Sequence, residues 1–204
     1  VTYLGAEAFC NCASLYTVFI PNGITTIRYR TFQKCTSLWN IEIPNTVTTI
    51  DHSAFRWCTD LKRVMLGSDI SCELTSIGNY AFEGCTALGN SDGSGSITCM
   101  ALTPPTVSEN TFGELNLTWG TNSISAIERY AMLITPYSAM RTYNTSDSRW
   151  KYFFNDQNPR WEFISGSYHY IVSGENTAYI THYGTTVNDA TVSYNQSNIT
   201  SRTL

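Results

Sequence analysis

The chain has 204 residues, is 42% hydrophobic and only 14% charged, and carries a formal net charge of −4. That balance supports a folded core, and its 12 scattered Lys and Arg residues exclude the clustered basic face that nucleic acid requires. No stretch approaches the roughly 18 consecutive apolar residues of a membrane-spanning helix, so no membrane insertion is expected of this segment.

Residues 1–100 repeat. Phe9, Cys12, Leu15, Val18, Ile20 and Pro21 recur 23 residues later as Phe32, Cys35, Leu38, Ile41, Ile43 and Pro44. Phe55, Cys58, Leu61, Val64 and Leu66 form a third copy. Phe82, Cys85 and Leu88 begin a fourth, delayed four residues by an insertion near residues 67–73. Val1, Ile24, Val47 and Leu74 stand eight positions before each Phe, and Leu4, Ile27, Ile50 and Ile77 stand five before it. One such unit cannot bury its own apolar side chains, but units stacked in register form a continuous core, which predicts a solenoid. In each unit Ile41 and Ile43 alternate with Asn40 and Glu42, the period of a half-buried strand, and Pro44 ends it. Val47 and Ile50 are expected to return to the core and Phe55 to fill the wide end of the coil. Successive strands are expected to pair in parallel at about 4.8 Å per rung.

The pattern Ile-x-x-x-x-Phe-x-x-Cys-x-x-Leu-x-x-Ile-x-Ile-Pro resembles leucine-rich repeats of the BspA-like class, as found on the surfaces of gut and oral Bacteroidetes. The resemblance covers roughly residues 1–100. Ala101-Leu102-Thr103-Pro104-Pro105, Phe112, Leu133-Ile134-Thr135-Pro136, Tyr143 and Trp150 resemble the terminal part of such arrays, although Thr135 stands where an apolar residue is usual and residues 121–127 depart from the pattern. The resemblance implies a β-rich fold with a minor helical part: a right-handed solenoid of about four rungs and a capping region (residues 1–164, the cap about 101–164), then a short β-hairpin or meander at 165–204. It also implies a cell-surface or secreted location and a role in adhesion. The chain carries no signal peptide and opens at Val1 inside a repeat, so it reads as a piece of a longer protein.

Cys12, Cys35, Cys58 and Cys85 share one repeat column. Side chains that point in parallel from adjacent rungs keep their Cβ atoms about 5 Å apart, beyond the roughly 3.5–4.5 Å of a disulfide. A ladder of small, buried, reduced thiols is therefore expected. Cys10 replaces polar residues of its column and is expected to be exposed, Cys10 and Cys12 form no Cys-x-x-Cys zinc pair, and the pairing of Cys10, Cys72 and Cys99 is left open. Residues 89–96, with three Gly and three Ser, read as a loop, and a strand resumes near Ile97. Residues 138–154 carry the convincing helical signals, with Ser146 and Asp147 as caps for a short helix bearing Arg149, Trp150 and Phe153. This unit is expected to cover the last rung with Trp150 buried. Beyond Ile164, strands are expected near residues 168–172, 178–183 and 190–194.

No chemistry-bearing motif appears. His52, His169 and His182 are dispersed, no carboxylate pair can be placed, and no hydrolase, zincin or phosphate-loop pattern is present, so neither enzyme activity nor any cofactor or metal is expected. Surface recognition remains. Thr17 and Phe19, Asn40 and Glu42, Arg63 and Met65 alternate with the core positions and so face outward, with Tyr16, Trp39 and Lys62 in the flanking column. Tyr16, Phe19, Trp39, Glu42, Lys62 and Met65 form the candidate binding set, because large exposed apolar side chains beside charge mark contact surfaces. The same side chains could instead pack against further rungs or lie singly. Three functions stay open: a module that binds a protein of a host or neighbouring cell, a carbohydrate-binding surface using the aromatics as stacking platforms, and a spacer without its own ligand.

Overall fold

The computed structural model describes residues 1–119, 122–145 and 149–153, and beyond them the backbone of five further strands. Two parallel ladders run along the repeats. On one side lie the four-residue strands β2 (Asn40–Ile43), β4 (Arg63–Leu66) and β6 (Ser96–Cys99), each placing two apolar side chains inward and two residues outward. Ile41 pairs in register with Val64, and Val64 with Ile97, so one column of the sequence becomes one row of the core. On the return path the two-residue strands β1 (Thr26–Ile27), β3 (Thr49–Ile50), β5 (Ser76–Ile77) and β7 (Thr106–Val107) form a second parallel sheet. Ile27, Ile50 and Ile77 point inward from it.

Each rung closes through a turn that holds two residues in the left-handed region. Glu7, Arg30, Ser53 and Tyr80 occupy the first position, and Asn11, Lys34, Trp57 and Gly84 the second, with φ between 53° and 62° for all seven non-glycine residues. This conformation costs about 1–2 kcal/mol for a residue with a Cβ. An inter-rung hydrogen bond offsets it. The N–H groups of Asn11, Lys34 and Trp57 donate to the carbonyls of Gln33, Arg56 and Glu83 at 2.8, 2.8 and 2.7 Å. At Gly84 the column needs glycine for a second reason. A Cβ there would fall 2.1 Å from Cδ1 of Trp57, whose ring occupies that space.

Inside the coil Phe9, Phe32, Phe55 and Phe82 stack face to face at centroid distances of 5.3, 5.3 and 5.5 Å, and Phe112 continues the column at 6.3 Å. Phe32, Phe55 and Phe82 are fully buried. Phe9 is only half-buried and Cys12 is exposed, contrary to expectation for both. They sit on the outermost described rung and are covered from one side only.

All seven cysteines are free. The buried thiols are not simply apolar fillers. Sγ of Cys35, Cys58 and Cys85 donates to the carbonyl of Phe9, Phe32 and Phe55 at 3.1, 3.0 and 3.2 Å, so each thiol satisfies a carbonyl of the preceding turn. Cys99 is also buried and lies 3.1 Å from the Tyr143 hydroxyl, while Cys10 and Cys72 are half-buried. Burial pushes the thiol of Cys35 up to about 11 and those of Cys85 and Cys99 up to about 12, and it raises that of Cys58 as well. These groups stay protonated at neutral pH, and the thiolate is the reactive form. In a thiol titration of the native protein at neutral pH, Cys35, Cys58, Cys85 and Cys99 should therefore react only on unfolding. Labelling of any of the four in the folded protein would contradict the ladder.

The terminal region builds on the last rung. After β7, a hairpin of β8 (Leu117–Trp119) and β9 (Asn122–Ile124) leads to helix α1 (Ala126–Tyr130). This helix falls where the sequence departs from the repeat, and no helix is expected there from the repeat pattern. Ser125 caps it by accepting from the N–H of Glu128, whose carboxylate accepts from the N–H of Ser125 in return. Strand β10 (Met132–Pro136) then adds to β6 in parallel, followed by α2 (Tyr137–Thr145) and a 3-10 turn, Arg149–Phe153. The expected short helix around Trp150 is this tighter turn; its expected caps, Ser146 and Asp147, lie outside the described residues. Trp150 is fully buried, edge-on to Phe112 at 5.1 Å, and its indole N–H donates to the carbonyl of Pro105 at 2.7 Å. Thr135, at the position where an apolar residue is usual, is buried with no partner for its hydroxyl among the described residues.

Beyond the cap, β11 (Arg160–Ser165) pairs in parallel with β10 and antiparallel with β12 (Tyr168–Ser173). Strand β13 (Thr177–His182) follows β12, and β14 (Thr185–Thr186) and β15 (Val192–Ser193) both pair with β13. One sheet therefore runs from β2 through β4, β6, β10, β11, β12 and β13 to β14.

Candidate binding surface

The outward residues of the long strands lie on one face of this sheet, and their own burial pattern alternates with that of the core positions. Of the six candidate side chains, Phe19 is 85% exposed and Tyr16 60% exposed, and Glu42 is exposed too. Trp39, Lys62 and Met65 are only half-buried rather than open as expected. The cause is stacking between rungs. Tyr16 lies parallel to Trp39 at 6.5 Å with the ring planes 8° apart. Arg63, from the next rung, places its guanidinium 4.1 Å from the centre of the Trp39 ring. The indole is thus held between an aromatic ring and a cation, an arrangement that orients both without hiding their edges.

The set divides into two neighbouring groups. Tyr16, Trp39 and Arg63 make the stack, with Lys62 beside Trp39 in the same flanking column. Phe19, Glu42 and Met65 instead line a concavity of about 430 Å³ with Thr17, Asn40 and Ser68. Its volume lies within the range of about 300–1,000 Å³ seen for ligand pockets. Glu42 is the one charged residue in its lining. Arg63 enters the site although it is not among the six candidates; its outward strand position was legible, its contact with Trp39 was not. Ser68 follows β4 and carries no repeat signal.

The opposite edge of the coil holds a second row of side chains. His52 stacks on Tyr29 at 5.6 Å and meets Tyr80 edge-on at 5.5 Å, and Arg56 and Lys34 lie over Trp57 at 4.2 and 5.1 Å. Arg56 also pairs with Glu83, and Arg30 with Glu7 at 3.5 Å. This row is largely satisfied by its own cations and rings, in keeping with inter-rung support. The side chains of His169 and His182 lie outside the described residues. Among the described residues, no three His, Cys, Asp or Glu side chains converge as a metal site needs. No helix among them is long and apolar enough to cross a membrane.

The family model for the BspA type leucine-rich repeat region matches residues 1–101 in six copies. No curated protein matches the chain significantly. Repeats of this family generally act as non-enzymatic, surface-associated scaffolds for protein–protein contact.

Proposed function

Residues 1–101 belong to the BspA-type leucine-rich repeat family, and from that premise we propose that the open strand face is an adhesive site for a protein of a host or neighbouring cell. The bet rests on Tyr16, Phe19, Trp39, Glu42, Lys62 and Met65. One observation carries it: Phe19, 85% exposed on the wall of a groove, on the same rung as the Tyr16 of an ordered Tyr16–Trp39–Arg63 stack. Exposed aromatics and arginine held in fixed rotamers lose little entropy on binding, and such residues dominate protein interfaces. The polar rim of Thr17, Asn40 and Ser68 suits the same purpose. In this reading residues 1–164 form the solenoid with its cap, and residues 165–204 form a strand segment that extends the sheet.

A sugar-binding role is weaker on geometry. Stacking on a sugar needs a bare ring face, and Trp39 is covered by Tyr16 on one side and Arg63 on the other. Tyr16 and Phe19 keep open faces, but they stand apart from the oriented Trp39. The test is a Phe19→Ala/Trp39→Ala variant compared with wild type on a panel of matrix and cell-surface proteins and on a glycan array. Neither residue belongs to a buried column, so the variant should fold. Its affinity for the wild-type protein ligand should fall more than about tenfold, roughly 1.4 kcal/mol. Wild-type binding confined to glycans, or a variant that binds as wild type, would overturn the proposal.

A further inference from the structure

The groove has an open side. Strand β2 is the last strand of its sheet, paired only with β4. The N–H of Trp39 donates to the carbonyl of Tyr16 at 3.1 Å, and beyond that bond no backbone hydrogen bond ties residues 17–20 to β2 among the described residues. The segment lies against the rung through Ile20, which is buried, but it does not complete the ladder. The concavity spans this seam and β2 itself, running from Thr17 and Phe19 of one rung past Asn40 and Glu42 to Met65 and Ser68 of the third.

We propose that this seam receives a lysine or arginine side chain from an extended segment of the partner protein, with Glu42 as its counter-charge. The inference rests on the protein-binding reading above and names the chemistry it selects. Three features argue for it. Glu42 is the sole charge in the lining, it is exposed, and among the described residues it has no ion-pair partner. Phe19 and Met65 supply apolar walls for the aliphatic stem of a basic side chain, and the ring of Phe19 also attracts a cation over its face. Thr17, Asn40 and Ser68 add side-chain oxygens that accept from an ammonium or guanidinium group. The apolar walls suit a basic side chain with an aliphatic stem, carried on a polypeptide, better than a free inorganic cation.

The test uses protein labelled with ¹³C at the methionine methyls, so that Met65 reports on the groove and the other methionines report on the fold. The probes are two capped pentapeptides, Thr-Val-Lys-Val-Thr and the same peptide with norleucine for lysine. The Met65 methyl should shift with the lysine peptide, and the norleucine peptide should need about one-and-a-half- to fivefold more to reach the same midpoint, the range for a solvent-exposed charge pair. In Glu42→Gln the two peptides should become equal. A Met65 signal unmoved by the lysine peptide, or a lysine preference that persists in Glu42→Gln, would overturn the inference. So would a Met65 shift that grows with protein concentration alone, which would place a second copy of the chain in the seam. If Phe19→Ala/Trp39→Ala abolishes protein binding while Met65 stays silent, only this inference fails. If Met65 responds as expected while that variant binds its protein ligand normally, the broader proposal fails instead.

Discussion

Phe55→Ala is expected to destabilise the protein by about 3–5 kcal/mol, the range for removing a large aromatic from a well-packed core. Phe55 is fully buried and stacked at 5.3 Å on Phe32 and 5.5 Å on Phe82. The rungs on both sides are held by backbone hydrogen bonds through the turns, so neither can drop into the void. Phe32→Ala should cost about as much, at the lower end of that range, because its neighbour Phe9 lies on the outermost rung and has room to shift. Phe9→Ala should cost least of the three. Denaturant unfolding of the series measures this gradient. A loss below about 1 kcal/mol at Phe55, well under that range, would mean that the column is not the core of the coil.

Arg149→Ala is expected to cost a similar amount, about 3–5 kcal/mol, by a different route. Arg149 grips Glu128 with two bonds of 2.6 Å and donates to the carbonyl of Ser123 at 3.0 Å. The Glu128 side chain is 1% exposed and that of Arg149 14%. Removing the guanidinium takes two short charge-assisted bonds away from a buried carboxylate that also caps α1 through the N–H of Ser125. Arg149→Lys keeps a charge but loses the planar fork, so it should recover only part of the stability. The double variant Glu128→Gln/Arg149→Met should be more stable than Arg149→Ala, because both charges of the buried pair are removed together. If Arg149→Ala unfolds like wild type, the link between α1 and the Arg149–Phe153 turn is not what holds the cap.

How far the sequence reaches depends on whether a feature is a column or a contact between columns. Phe32, Cys35, Leu38, Ile41 and Ile43 each repeat at 23 residues, and each lies in the core the period implies. The left-handed turn positions also repeat, yet they are held by Glu7, Arg30, Ser53 and Tyr80, residue types that carry no signal for positive φ. Gly84 and Asn11, in the second turn position, are the residue types that hint at them. Phe9 and Cys12 depart from expectation because a column states what a residue is, not whether both neighbouring rungs cover it. Trp39 departs for a related reason. Its burial comes from Tyr16 and Arg63, side chains of the flanking and outward columns that meet only once the rungs are stacked. Helix α1 is legible in the sequence. Ser125-Ala126-Ile127-Glu128 is a capping box, a local signal lost in a segment that breaks the repeat. The groove could not be read from sequence, since Ser68, which carries no repeat signal, joins side chains of three rungs in its lining.

The most direct measurement is photocrosslinking from single positions on the two edges of the coil. Benzoylphenylalanine in place of Phe19 probes the open strand face, and in place of Tyr29 it probes the opposite turn row; both native side chains are exposed. Presented to cells or matrix that the protein adheres to, the Phe19 probe should yield a covalent adduct with a protein, and the Tyr29 probe should yield none. An adduct from Tyr29 with none from Phe19 would place the binding surface on the other side of the solenoid and contradict the account.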